Sequence, residues 1–298
     1  MFMKKSIFAV ALVLGTSASF AQDLTSKKGE AYLPESGDWA IGVDATPFLQ
    51  FAGNLIGGNG GNTAPTWNFL TNNQTITGKY FTADDMAYRA SLRLGFGSNS
   101  ASNMVADRDG AAPTYPALPA MVENTMKMST TNIGLSGGIE YRKGSGRLQG
   151  FYGGELGISL SSSKSSYTYG NALAPTAATP VFVDAADDFG TGNITSDTYG
   201  NAARVTESKG GSSFGIGIRG FIGAEYFVLP KLAVGGEFGW GLVFASNGAS
   251  STTMESTDGA TVGTQTLEGN KSSGFGIDTD NVNSVFGPAA SLRMTFHF

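Results

Sequence analysis

Residues 86–97 read Met86-Ala87-Tyr88-Arg89-Ala90-Ser91-Leu92-Arg93-Leu94-Gly95-Phe96-Gly97. Tyr88, Ala90, Leu92, Leu94 and Phe96 alternate with Arg89, Ser91, Arg93 and Gly95, a period of two that belongs to a strand with one apolar and one polar face. The alternation is already present at Trp39, where Trp39, Ile41, Val43 and Ala45 oppose Gly42, Asp44 and Thr46. It returns over Ile133 to Tyr141, Leu148 to Leu160, Phe214 to Tyr226, Leu232 to Phe244 and Phe286 to Phe298. A soluble sandwich also alternates, so the ions on the polar faces must decide which side faces inward. They are Asp44, Arg89, Arg93, Glu140, Glu155, Arg219, Glu225, Glu237 and Arg293. Only 14% of the chain is charged, and a concentration of ions on the strands fits a closed interior, with the apolar faces turned to lipid. That is the pattern of a transmembrane β-barrel.

Seven strands cannot close a bacterial single-chain barrel, which has an even number. The short turns at Lys143-Gly144-Ser145-Gly146 and Val228-Leu229-Pro230-Lys231 fall on one side if the last strand descends to the periplasm. The strand at Met86 then ascends and needs a descending partner. Ile76, Gly78 and Tyr80 alternate with Thr77 and Lys79 just before Thr82-Ala83-Asp84-Asp85, supplying an eighth strand and a tight turn. The expected fold class is therefore all-β: an eight-stranded antiparallel transmembrane β-barrel. Its long extracellular loops would lie near 52–73, 98–129, 162–212 and 246–284, opposite short periplasmic turns.

Composition agrees. Of 298 residues 43 are Gly, none is Cys and one is His, which excludes disulfide scaffolds, thiol enzymes and Cys-bearing metal sites. Lys4 and Lys5, the apolar run Ile7 to Leu14 and Ser19-Phe20-Ala21 read as a signal peptide over 1–21. A periplasmic N-terminal segment over 22–37 and a barrel over 38–298 would follow. Without Lys4 and Lys5, 17 of the 19 basic residues remain against 24 acidic ones, a net charge of −7 that argues against nucleic acid as a partner.

Several stretches carry a likeness: residues 37–48 (Gly37-Asp38-Trp39 through Thr46-Pro47-Phe48), Thr77-Gly78-Lys79-Tyr80-Phe81, Tyr88 to Gly95, and Glu140 to Gly153. In these the chain resembles the eight-stranded outer-membrane β-barrel proteins of Bacteroidota, often called porin-family barrels. The resemblance implies outer-membrane location and architecture, and carries over no catalytic residues. Phe298, with Phe296 in the same register, resembles the C-terminal signal by which such barrels are recognised for assembly.

Motifs of other chemistry give way to this reading. Gly215-Ile216-Gly217-Ile218-Arg219-Gly220 matches a dinucleotide fingerprint but sits inside a strand, where no helix opens. His297 faces inward at the periplasmic rim, away from where an outer-membrane hydrolase places its imidazole. Asp184, Asp187 and Asp188 lack the spacing of a calcium loop and read as a solvated acidic patch. No enzyme activity, cofactor or metal is expected. Interior acids Asp44, Glu140, Glu155, Glu225 and Glu237 balance interior bases Lys79, Arg89, Arg93, Arg219 and Arg293, and an eight-stranded lumen is only wide enough for side chains. The expectation is a plugged, ion-paired lumen, with Glu155 meeting Arg219 and Asp44 meeting Arg293. Trp39, Tyr80, Tyr88, Tyr141, Tyr226 and Phe298 would form the periplasmic aromatic belt, and Phe51, Phe96, Phe214, Phe244 and Phe286 the outer one. The protein would then be a structural or surface-interaction barrel. Its partners would be outer-membrane lipids, the barrel-assembly machinery, and extracellular or envelope proteins met through the loops. A narrow channel or transporter for small solutes is the alternative.

Overall fold

The computed structural model describes residues 24–58, 76–144, 146–173, 185–278 and 290–298. The expected signal peptide and Asp184 lie outside them, as does Phe286. The strands in chain order are β1 (Trp39–Asp44), β2 (Ile76–Ala83), β3 (Met86–Ala106), β4 (Met121–Lys143), β5 (Leu148–Thr168), β6 (Ile194–Ser196) and β7 (Ala202–Lys209). They continue with β8 (Ser213–Leu229), β9 (Leu232–Asn247), β10 (Ser251–Thr257), β11 (Val262–Glu268), β12 (Ser272–Asp278) and β13 (Ala290–His297). Eight of them close a ring in the order β1-β2-β3-β4-β5-β8-β9-β13, every neighbour antiparallel. The seam is β1 against β13, from Ala40 opposite His297 to Asp44 opposite Arg293. Closure removes every edge from this ring, which is what a sheet needs in a solvent that offers no hydrogen bonds.

The alternation in residues 86–97 is borne out side chain by side chain: Arg89 and Ser91 are buried, while Tyr88, Leu92, Leu94 and Phe96 are exposed. The outer belt continues through Leu135, Tyr152, Leu156, Ile218, Ile222, Trp240 and Leu242. From Tyr88 to Phe96 it spans roughly 27 Å along the strand at about 3.4 Å per residue, or about 20 Å once tilted, close to the apolar band of a membrane barrel. At the turn end Trp39 lies opposite Tyr80, which lies opposite Tyr88. These rings form a continuous row, with Trp39 and Tyr80 centred 4.8 Å apart. Among the described residues no helix is long and apolar enough to cross a membrane.

Glycine makes the interior possible. A Cβ added at Gly239 would strike the Arg219 guanidinium, one at Gly153 the Phe221 ring, and one at Gly223 the Phe151 ring. Small residues on one strand leave the volume that large ones on the neighbouring strand fill. At these three positions glycine is a packing requirement of the narrow barrel.

Beyond the belt, much of what the sequence reads as long loops continues as paired strand. β3 and β4 stay paired without a break from Met86 opposite Tyr141 to Ala106 opposite Met121. β5 pairs with β8 as far as Ser161, then with β7 from Lys164 to Ser166. β10 and β11 extend the sheet outward from β7. β12 and β13 both run antiparallel to β9, beside Gly241–Asn247 and Leu232–Phe238 respectively. They occupy one descending track in two pieces. Ser, Thr and Asn on these extensions pair as well as apolar residues do, because backbone hydrogen bonds ignore side-chain polarity. The first strand also ends early. β1 stops at Asp44, and a helix α1 (Thr46–Ile56) with proline in its first turn takes over. Its uncharged sequence alternates too little to have announced it.

Candidate functional site: the filled lumen

β2, β3, β4, β5, β8, β9 and β13 each point at least one ion into the lower lumen. Glu237 sits at the centre. It accepts from Arg89 Nη1 at 2.7 Å and Nη2 at 3.2 Å, and from Arg219 Nη1 at 2.8 Å, with Arg293 Nη2 at 3.5 Å. Arg219 Nη1 also donates to Glu155 Oε1 at 2.7 Å. Ser136 Oγ donates to the other oxygen of Glu155 at 3.3 Å, and Arg89 Nε lies 3.4 Å from it. Toward the turns, Arg89 Nη1 is 3.6 Å from Glu140, and Lys79 Nζ donates to Glu140 Oε1 at 2.7 Å. Lys79 lies 3.8 Å from Glu225, which accepts from Arg142 Nη2. Arg293 also donates to Thr77 Oγ1 at 2.6 Å. These residues form one chain of ion pairs.

Rings separate the layers of charge. The Arg89 guanidinium lies 4.0 Å from the Phe221 centroid, and Lys79 Nζ lies 5.0 Å from that of Phe151. Arg142 sits over Phe81 and Phe227. Cation–π contacts of this kind gain when desolvated. His297 is wedged between the same two phenylalanines, 5.6 and 5.2 Å from their centroids. Below them, Tyr32 of the N-terminal segment packs on Phe227 and Ala233, with Arg147 stacked 3.6 Å over its ring. Lys231, the one described non-glycine residue with positive φ, at 59°, pairs with Asp38 there. Its main chain receives His297 N at 2.7 Å and donates to Tyr32 O at 3.1 Å. Asp38 sits outside the strands. Its burial would raise its pKa, but the Lys231 hydrogen bond and charge outweigh that and hold it below the usual value.

The void bounded by Lys79, Phe151, Glu225, Glu237, Arg293 and Thr295 is about 10 Å³, room for roughly one water. Chemically, such an interior can brace the strands against one another and exclude a continuous water column.

The site residues read from sequence fall into two groups. Lys79, Arg89, Glu140, Glu155, Arg219, Glu225, Glu237 and Arg293 come together in the chain described above, and Glu155 stands opposite Arg219 in register as well as in contact. Asp44 and Arg93 lie higher and are only half buried. Asp44 faces Arg293 in register, but the Arg293 guanidinium reaches Glu237 and Thr77. Phe296 and Phe298 face outward, as their parity requires. Sequence reasoning missed Arg142, which falls between the strand ending at Tyr141 and the turn beginning at Lys143 although it shares the parity of Glu140; it makes the interior bases six against five acids. It also missed the inward phenylalanines. Gly215 to Gly220 lie within β8.

A second polar cluster lies at the loop end and corrects the reading of Asp187 as solvated. Asp187 is fully buried. It accepts from Asn124 Nδ2 at 2.8 Å and Arg204 Nη1 at 3.4 Å, with Arg108 Nη2 at 3.5 Å. Arg204 donates onward to Glu255 Oε1 at 2.6 Å and Asn171 O at 2.8 Å, and lies 4.2 Å over the Tyr169 ring. Burial pushes the Tyr169 hydroxyl up to about 12. Asp188 stays exposed, its Oδ1 capping Gly190 N. Among the described residues no group of three His, Cys, Asp or Glu could hold a metal ion.

No family model matches the chain, and no curated protein does. Among the solved structures that show a likeness are two outer membrane proteins. OprG from Pseudomonas aeruginosa is 11% identical at a TM-score of 0.30, covering 90% of this chain and 98% of its own. A major outer membrane protein from Thermus thermophilus is 13% identical at a TM-score of 0.24, covering 88% and 98%. At such scores these likenesses carry no weight beside the closed ring of strands, which defines the molecule as an eight-stranded antiparallel barrel.

Proposed function

We propose that the protein spans the outer membrane of a Gram-negative envelope as a non-conducting barrel of the kind common in Bacteroidota, its turns in the periplasm and its strand extensions outside. Its role is structural or adhesive, exercised through those extensions, and involves no catalysis. The observation that carries this reading is the unbroken chain of ion pairs across the lumen, with a central void of about 10 Å³. A conducting pore of this width would need a hydrated path past Glu237, whose carboxylate is hydrogen-bonded to two guanidinium groups. The loop-end cluster around Asp187 supports the adhesive half of the reading, since it holds the extensions as a stiff platform. The test is conductance of the purified barrel in planar bilayers. No discrete steps are expected at neutral pH. Reproducible single-channel steps from the unaltered protein would replace this reading with the narrow channel.

A further inference from the structure

The outward face of β4, β5 and β7 changes character just beyond the apolar belt. Parity runs unbroken along β4 and β5, where Asn124 and Tyr167 are buried on the inner side as Glu140 and Glu155 are lower down. Lys127 and Lys164 have the opposite parity and stand on the face that carries Ile133 and Leu160. β7 adds Lys209, directly opposite Lys164. Like charges directly opposite on antiparallel strands are destabilising. A single carboxylate, Glu207, serves both ammonium groups, pairing with Lys164 and, at 2.6 Å, with Lys209. Lys127 is on the next strand, diagonal to Lys164, an offset of about 7–8 Å that long side chains bridge. It is exposed and has no ion-pair partner among the described residues. The neighbours in register are hydroxyls, Ser129 beside Lys164 and Ser166 between Lys127 and Glu207. Glu268, the next carboxylate along the row of Lys209, lies two strands farther out. The patch is therefore short of negative charge, although acids outnumber bases in the chain as a whole.

Height decides which anion meets it. Lys164 follows Leu160, the last outward apolar residue of β5, by four positions. That is roughly 14 Å along the strand and about 10 Å along the membrane normal once tilted. The polar headgroups begin where the hydrocarbon ends, and a lysine stem can lie back along the wall while its ammonium stays among them. We infer that Lys127, Lys164 and Lys209 bind the phosphate of an outer-leaflet lipid, which supplies the negative charge that Glu207 alone does not. The inference rests on the orientation proposed above, with the strand extensions outside.

Native mass spectrometry of the full barrel in neutral detergent tests it, with diphosphorylated lipid A, its dephosphorylated form and inorganic phosphate as probes. The phosphorylated lipid is expected to be retained, and the dephosphorylated form at least about tenfold less, the loss typical of deleted charged hydrogen bonds. Lys164→Gln/Lys209→Gln should bring the phosphorylated lipid down to the level of the dephosphorylated one, and Lys127→Gln should weaken it several-fold. Glu207→Gln, which removes the competing carboxylate, should strengthen it several-fold. Heat-modifiable gel mobility should stay unchanged throughout, and Lys28→Gln, which deletes the same charge in the N-terminal segment, should bind like the parent. Equal retention of the two lipids, patch variants that bind like the parent, or an equal loss in Lys28→Gln would each overturn the inference. Inorganic phosphate binding as tightly as the lipid would make this a general anion site and overturn the lipid source. Orientation is checked apart from retention: a tag inserted at Gly259 should be accessible on intact cells, and a hidden tag would overturn the outer-leaflet assignment. Channel steps in planar bilayers would leave all of these results as they stand.

Discussion

The two ends of this barrel solve one problem, burying charge, with different materials. At the turn end and mid-barrel, ions from seven strands interlock around Glu237, and phenylalanines seal the layers. At the loop end, one buried carboxylate, Asp187, is shared among Arg204, Arg108 and Asn124, and amide side chains do most of the bridging. In the lumen, losing one ion strands partners that are almost wholly buried. At the loop end, solvent lies one layer away, so the same loss loosens a local unit without threatening the ring.

The sharpest way to break that contrast is Glu237→Leu, which leaves Arg89, Arg219 and Arg293 facing an apolar side chain. We expect a loss of about 3–5 kcal/mol in unfolding stability, the usual consequence of removing one member of a buried ionic cluster. Urea titration of the detergent-folded barrel measures it. Pairing the change with Arg293→Met should recover part of the loss, and simple additivity would mean that the lumen ions are independently hydrated. Next in size is Gly239→Leu, which forces a side chain into the Arg219 guanidinium. Overpacking should cost about 1–3 kcal/mol, whereas Gly274→Ala, with nothing near its added Cβ, should be almost silent. Equal effects would remove the packing account of the glycines.

Asp187→Ala should barely move the global unfolding midpoint, yet speed protease cleavage between β5 and β10 several-fold. Mass spectrometry of limited digests would show a coupled platform to be wrong if cleavage stayed at the parent rate. The smallest effect concerns acid. Asp197 is pushed up by desolvation but held down more strongly by hydrogen bonds from Asn201 Nδ2, from Ser256 Oγ and from the Asn201 and Tyr199 main chain, for a pKa of about 2. A depressed carboxylate adds stability that is complete above its unfolded value of 3.8 and is lost as pH falls through about 2. Hydrogen exchange over residues 197–201 should therefore rise between those values, while exchange in β8 stays flat.

The barrel was legible in the sequence because its two faces differ in chemistry, apolar outside and ionic inside, and alternation survives wherever that holds. Eight strands could be read this way, even the weak one at Ile76, since an even count left no other solution. The reading failed where both faces of the wall are apolar, as at Phe151 and Phe221, which turn inward next to outward Tyr152 and Ile222. Arg142 was hidden by its closeness to a turn, although its parity pointed inward. The Asp187 cluster had no local signal at all. Its members come from six separate segments, at Arg108, Asn124, Asn171, Asp187, Arg204 and Glu255, and a polar network assembled across 60 or more residues looks, in sequence, like any solvated loop.

The seam constrains how the barrel forms. Trp39 N donates to Phe298 O at 2.8 Å and Phe298 N to Trp39 O at 2.9 Å, so one edge of the first strand is completed by the last residue of the sequence. Every other ring contact joins neighbours in the ring order whose connections are shorter. Closure therefore bears the largest loop entropy and comes last. Until then β1 and β13 stand as two unpaired margins, each with a ladder of donors and acceptors seeking a partner. Within the ring, the nascent sheet is thus sticky along those two lines, and a factor that holds them apart from other chains would act on the open barrel more than on the closed one.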